Sequence, residues 1–168
     1  MNSRKICMLG AFAVGKTSLV RQFVESLFSE KYQTTIGVKI DKRIVEVKGE
    51  SLQLIIWDIE GVDIFTELNP AYLRGASGII LVLDGTRYNT LNATRQIMEI
   101  VETSIASTNF VLLINKLDLS SQWQIKDEHL LSLGIDSKNI FKTSAKTGEN
   151  VEQAFQRLAE LTLTPNLS

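Results

Sequence analysis

The chain has 168 residues, 44% of them hydrophobic and 22% charged, with a formal net charge of -1. That length and mix suit one globular domain over residues 1–168 with a real core. Near-neutrality excludes the broad basic field by which proteins hold nucleic acid or anionic membrane, and the lone Cys7 excludes an internal disulfide or a cysteine zinc cage.

The first element is a buried strand from Arg4 to Leu9, an almost unbroken apolar run. It leads into Gly10-Ala11-Phe12-Ala13-Val14-Gly15-Lys16-Thr17, which fits the Gly-x4-Gly-Lys-Ser/Thr phosphate loop. A helix follows from Lys16 to about Leu27, with Leu19, Val20, Phe23, Val24 and Leu27 on one face. A tight turn that opens a helix aims main-chain N–H groups and the positive end of the helix dipole at one point. The amides of Ala13, Val14, Gly15, Lys16, Thr17 and Ser18 are therefore expected to cradle a polyphosphate. Lys16 is expected to bridge its outer two phosphates and the Thr17 hydroxyl to ligate Mg2+. Adenine and guanine are both compatible with this motif alone.

Thr35, within Tyr32-Gln33-Thr34-Thr35-Ile36-Gly37, is placed to offer Mg2+ a second protein ligand. Ile36, Val38, Ile40 and Ile44 alternate with polar residues, the pattern of an antiparallel strand with one wet face. A hairpin through Lys48-Gly49-Glu50 joins it to a strand from Leu52 to Trp57. That strand ends in Asp58-Ile59-Glu60-Gly61, an Asp-x-x-Gly whose carboxylate can hold a Mg2+ water and whose glycine N–H can face the terminal phosphate.

Gly78 to Leu83 and Phe110 to Ile114 are continuous apolar runs, suited to strands covered on both sides. Helices are expected from Leu91 to Ser104 and from Asp127 to Leu133, the latter carrying the solitary His129 in a surface or structural role. The short strand Ile140 to Lys142 precedes a last helix from Val151 to Leu163. There Asn150 and Gln153 form a capping box, and Val151, Ala154, Phe155, Leu158 and Leu161 make the core stripe. Strands alternating with helices give a three-layer, doubly wound α/β domain. Trp57 suits either an interaction patch or packing at the rim, and Trp123 suits packing at the domain edge.

The base is read from Asn115-Lys116-Leu117-Asp118, at the C-terminal end of an apolar strand, where open α/β sheets bind ligands. A carboxylate there accepts from the N1–H and exocyclic amine of guanine, and adenine presents neither donor on that edge. Sites built to hydrogen-bond one group can reject the analogue lacking it by about 10^4 to 10^5. Ser144-Ala145-Lys146 adds an Ala145 N–H for guanine O6 and a Lys146 stem to pack over the base.

In order and spacing these segments resemble the Ras superfamily of small GTPases, the Rab and Ras branches most closely, and the likeness runs nearly end to end. It also takes in Tyr72-Leu73-Arg74-Gly75-Ala76 and Val151-Glu152-Gln153-Ala154-Phe155. The resemblance implies a Ras-like P-loop NTPase fold with a mixed six-stranded sheet and one antiparallel edge strand. It implies a Mg-GTP/GDP switch whose two switch loops meet effector and regulatory proteins. Phe28 matches the aromatic that stacks on guanine in that family, and Lys16, Thr35 and Gly61 would carry catalysis.

Two positions depart from the pattern. Val62 stands where relatives usually carry the Gln that orients the attacking water. Phe12 occupies a position that is small in most relatives, where its ring would crowd an incoming arginine finger. Slow hydrolysis is the expectation, with Glu60 or Asp63 as weak substitutes for the missing Gln. A module that binds GTP without appreciable hydrolysis stays open, and an ATP-using phosphotransferase fits Asn115 to Asp118 poorly. No apolar run is long enough to span a bilayer. The segment Thr164 to Ser168 has neither cysteine nor basic cluster, so no lipidation site is expected in this chain, and a cytoplasmic protein would reach membranes only through a partner or a tail not in this sequence; a monomer is expected.

Overall fold

The computed structural model describes residues 1–28, 37–62, 67–105 and 108–163. Six strands form one sheet in the order β2-β3-β1-β4-β5-β6: β1 Asn2–Gly10, β2 Val38–Val47, β3 Glu50–Ile59, β4 Ala76–Asp84, β5 Asn109–Asn115 and β6 Ile140–Lys142. All neighbours are parallel except the edge pair β2 and β3, which are antiparallel. Among the described residues the α-helices are α1 Lys16–Glu25, α2 Asn89–Ser104, α3 Asp127–Leu130 and α4 Val151–Leu163, of which α1, α2 and α4 pack on the sheet. This is the α/β Ras-like fold that the sequence implies.

The apolar runs explain the layering. Ile79 to Leu83 are fully buried, as they must be in a strand covered on both faces. One core lies under α1 and α4, from Ile6, Met8 and Ile80 to Phe23 and Phe155. The other lies under α2, from Cys7, Leu9 and Leu81 to Leu91, Ile97 and Val101. The rings of Phe23 and Phe155 stack at 4.0 Å between centroids and join α1 to α4; full burial of each such side chain contributes about 1.5–3 kcal/mol. β1 is flanked by β3 on one side and β4 on the other, so chain direction across the sheet reverses at its end. That is the crevice where such sheets bind ligands.

Several boundaries differ from expectation. Helix α1 ends at Glu25 because Ser26 turns left-handed at φ 55° and its N–H bonds to the Gln22 carbonyl. Leu27 therefore leaves the helical face assigned to it and is 53% exposed. In β2 the alternation is real but its faces are reversed: Ile40 and Ile44 are about half exposed, while Val45 and Val47 enter the core. The expected helix to Leu133 is α3 followed by a 3-10 turn, Leu131–Leu133. Asn150 is left-handed at φ 61°, unlike the extended geometry of a capping-box residue, and its amide donates to the Lys142 carbonyl. His129 is structural, accepting the Lys126 N–H on Nδ1 at 3.0 Å and meeting the Tyr88 ring edge-on.

Cys7 is fully buried, its thiol pushed up to about 11 by that burial against a smaller opposing effect of the Lys5 cation. Only the thiolate is a nucleophile. Native protein at pH 8 will therefore resist a thiol-reactive dye, and labelling will track unfolding in a denaturant series; rapid stoichiometric labelling of folded protein would contradict this.

Candidate functional site

The phosphate loop begins where β1 ends and closes with Gly15, left-handed at φ 100°, as the cap of α1. The first-turn N–H groups of a helix have no partner within it, so α1 presents donors at this end. Three consecutive loop carbonyls are gripped from outside: Phe12 by Arg87 Nη1 at 2.9 Å, Ala13 by Lys116 Nζ at 3.3 Å and Val14 by Asn115 Nδ2 at 3.0 Å. Phosphate loop and Asn-Lys-x-Asp segment are thus one hydrogen-bonded body.

Lys16 is 6% exposed, and burial lowers its pKa while the Asp58 carboxylate works in the opposite direction. The Thr17 hydroxyl donates to Asp58 Oδ2 at 2.6 Å. A hydroxyl and a carboxylate side by side are the hard oxygen donors that suit Mg2+, which takes few protein ligands and leaves the rest to phosphate and water. No group of three or more His, Cys, Asp or Glu is placed to hold a metal ion among the described residues. Thr35, the other expected ligand, lies outside the described residues, as does Asp63.

At the base end, Asp118 is exposed, and one of its carboxylate oxygens accepts the Ser144 hydroxyl at 2.8 Å. Ser144 is itself fully buried and accepts from Thr147 N–H, so it fixes the direction of the Asp118 side chain. Ala145 N–H, the group expected to meet guanine O6, donates to Asn115 Oδ1 at 3.3 Å. Asn115, 2% exposed, has to place all its polar atoms, and Thr143 and Ala145 share its oxygen. Lys146 is exposed, and Phe28, 39% exposed, stands just beyond α1.

The Asp-x-x-Gly segment lies against the phosphate loop. Val62 N–H donates to the Gly10 carbonyl at 3.0 Å, and Phe12 N–H donates to the Val62 carbonyl at 3.3 Å. Gly61 allows this approach, since a Cβ there would stand 2.5 Å from the Phe12 Cα. The Glu60 carboxylate accepts the Gly37 N–H at 3.0 Å and its own N–H bonds to the Gly37 carbonyl at 2.8 Å. The Phe12 side chain is 40% exposed at the rim.

Sequence reasoning missed three supporting residues. Asp84, fully buried at the end of β4, pairs with Lys116 at 2.7 Å and accepts from Thr86. A charged residue closing an all-apolar strand was the signal, because a buried carboxylate needs a partner. Arg87 had no sequence signal. Trp123 does more than pack at the edge: its indole N–H donates to the Lys116 carbonyl at 2.8 Å, holding a residue that is left-handed at φ 74°. Its ring lies so close on Gly85 that any Cβ there would overlap it. Gly85→Ala is accordingly expected to cost about 1–3 kcal/mol by overpacking and to weaken nucleotide binding, while Trp123→Phe loses mainly the second; thermal unfolding with and without GDP separates the two effects.

The comparisons agree with this geometry. The Ras family model matches residues 5–164. The Ras-related proteins Rab-13 of Canis lupus familiaris, Rattus norvegicus and Bos taurus are each 36% identical over 157 residues, covering 92% of this chain and 77% of the relative.

Proposed function

Since the chain belongs to the Ras superfamily of small GTPases, near Rab, we propose that it is a Mg2+-dependent GTP/GDP switch whose intrinsic hydrolysis is slow. Guanine-nucleotide binding follows from membership of the family; the metal, the residue roles and the rate are our reading. In it, the amides of residues 13–18 cradle the phosphates, Lys16 neutralises the outer two, and Asp118, aimed by Ser144, accepts from the guanine edge. Ala145 and Lys146 close over the base, with Phe28 stacked against it. Mg2+ held by Thr17, Thr35 and, through water, Asp58 would neutralise charge on the phosphate oxygens. Gly61 N–H would meet the terminal phosphate.

The observation that carries the slow rate is the apolar side chain of Val62, a residue whose main chain is bonded to the phosphate loop at Gly10 and Phe12. Its isopropyl group has no atom that can orient a water, and the Glu60 carboxylate is occupied by Gly37. The same observation favours a second reading, a GTP-binding module that engages effectors with negligible turnover. Nucleotide extracted from purified protein, followed by single-turnover hydrolysis with Mg2+ and with EDTA, tests both. Bound guanine nucleotide with slow, Mg2+-dependent phosphate release supports the switch. GTP intact after many hours supports the module, and bound ATP without guanine nucleotide would sink both.

Effectors and regulators are proposed to bind around residues 32–41 and 62–74, with the protein monomeric and cytoplasmic. No helix among the described residues is long and apolar enough to cross a membrane. Trp57 lies on the sheet face that carries Ile40, with the Lys5 ammonium 3.7 Å over its ring.

A further inference from the structure

We propose that Arg87 is a positioning residue for the nucleotide, clamping the outermost peptide of the phosphate loop and thereby slowing release of the bound guanine nucleotide. The inference rests on the switch reading above and adds to it a residue outside the sequence motifs.

The loop conformation needs holding. Ala13 is left-handed at φ 65°, a conformation that non-glycine residues keep only where surrounding contacts impose it. Lys116 and Asn115 hold the carbonyls of Ala13 and Val14, but neither reaches Phe12. Arg87 does, across 75 residues of sequence, at 2.9 Å. With Phe12 N–H bonded to Val62, residue 12 is fixed through its amide by the Asp-x-x-Gly segment and through its carbonyl by Arg87.

Arg87 is itself anchored. Its N–H donates to the Asp84 carbonyl at 3.0 Å, and its carbonyl accepts from Thr90 N–H at 3.1 Å and Thr90 Oγ1 at 2.7 Å. It therefore stands at the head of α2, whose Leu91, Ile97 and Val101 are fully buried. The guanidinium lies 3.9 Å from Asp84 Oδ2, the oxygen that pairs with Lys116 at 2.7 Å. One buried carboxylate thus orients both cations that grip the loop. Both contacts are made by one nitrogen, Nη1, at 2.9 Å to the carbonyl and 3.9 Å to the carboxylate, a single charged donor that an ammonium can also supply.

The test is release of a fluorescent GDP analogue, chased with excess GDP in Mg2+, from the wild type, Arg87→Ala, Arg87→Lys and Arg95→Ala. Arg95 lies on α2 and is exposed, bonding to Asn92 and Ser132 and, among the described residues, to nothing in the phosphate loop. Arg87→Ala is expected to release about 3- to 30-fold faster, below the full scale of a charge-assisted hydrogen bond because the Arg87 side chain is 36% exposed. Lysine, which keeps a charged donor of similar reach, is expected to restore most of the retention, and Arg95→Ala to release like the wild type. Release from Arg87→Ala within twofold of wild type overturns the inference. So does equal acceleration in Arg95→Ala, or a tenfold fall in single-turnover GTP hydrolysis with release unaltered, which would place the guanidinium in the reaction itself. A wild type that retains no guanine nucleotide overturns the switch reading and this inference with it; retention with unaltered release from Arg87→Ala overturns this inference alone.

Discussion

Asp118→Ala is expected to reduce the preference for GTP over ATP by about 10^2 to 10^4. Two hydrogen bonds to a charged acceptor contribute about 1.5–3 kcal/mol each, and every 1.4 kcal/mol is tenfold in affinity. Loss should fall on guanine alone, because adenine lacks both donors. Ser144→Ala, which frees the carboxylate from its 2.8 Å bond without removing it, should cost far less. Competitive titration of GTP and ATP against the same labelled nucleotide reads both effects. A preference untouched by removal of Asp118 would refute the assignment of the base.

Val62→Gln is expected to accelerate single-turnover hydrolysis about 10- to 100-fold. The gain is that of one hydrogen bond aimed at a water that acquires charge in the transition state, about 1.5–3 kcal/mol. The main-chain bonds of Val62 to Gly10 and Phe12 use no side-chain atom, so glutamine can enter without disturbing them. Phe12→Gly alone should change the intrinsic rate little, since the ring lies at the rim and not under the loop. Joined to Val62→Gln, it should open the double variant to an activating protein, whose arginine finger contributes about 10^3 to 10^5 in rate in Ras-type GTPases. Equal hydrolysis by wild type and Val62→Gln would show that position 62 does not limit the rate.

The features legible in the sequence are those whose chemistry is local. The loop from Gly10 to Thr17 and the strand-end Asn115 to Asp118 declare themselves because main-chain geometry and side-chain chemistry are specified within a few residues. Helix α4 runs from Val151 to Leu163, the bounds its unbroken periodicity predicts. Alternation in β2 marks the strand but not the covered face, since a period of two is indifferent to which side the helices occupy; Ile40 and Ile44 are the exposed ones. The left-handed stop at Ser26 is invisible in sequence, as serine is compatible with continued helix. Least legible are contacts between distant strand ends: Arg87 on Phe12, Trp123 on Gly85 and Ala145 on Asn115 depend on sheet order, which no segment encodes by itself.

The β2–β3 hairpin is riveted at its outer side. Arg43 forms a two-pronged pair with Glu152 at 2.6 and 2.8 Å and also donates to the Phe23 carbonyl, and Gln156 reaches the Glu46 carbonyl. Sliding β2 by one residue would break these ties to α1 and α4 together and turn Val45 and Val47 into solvent. The ribbon is therefore tied to the two helices at three points, a fixed ruler rather than a piston.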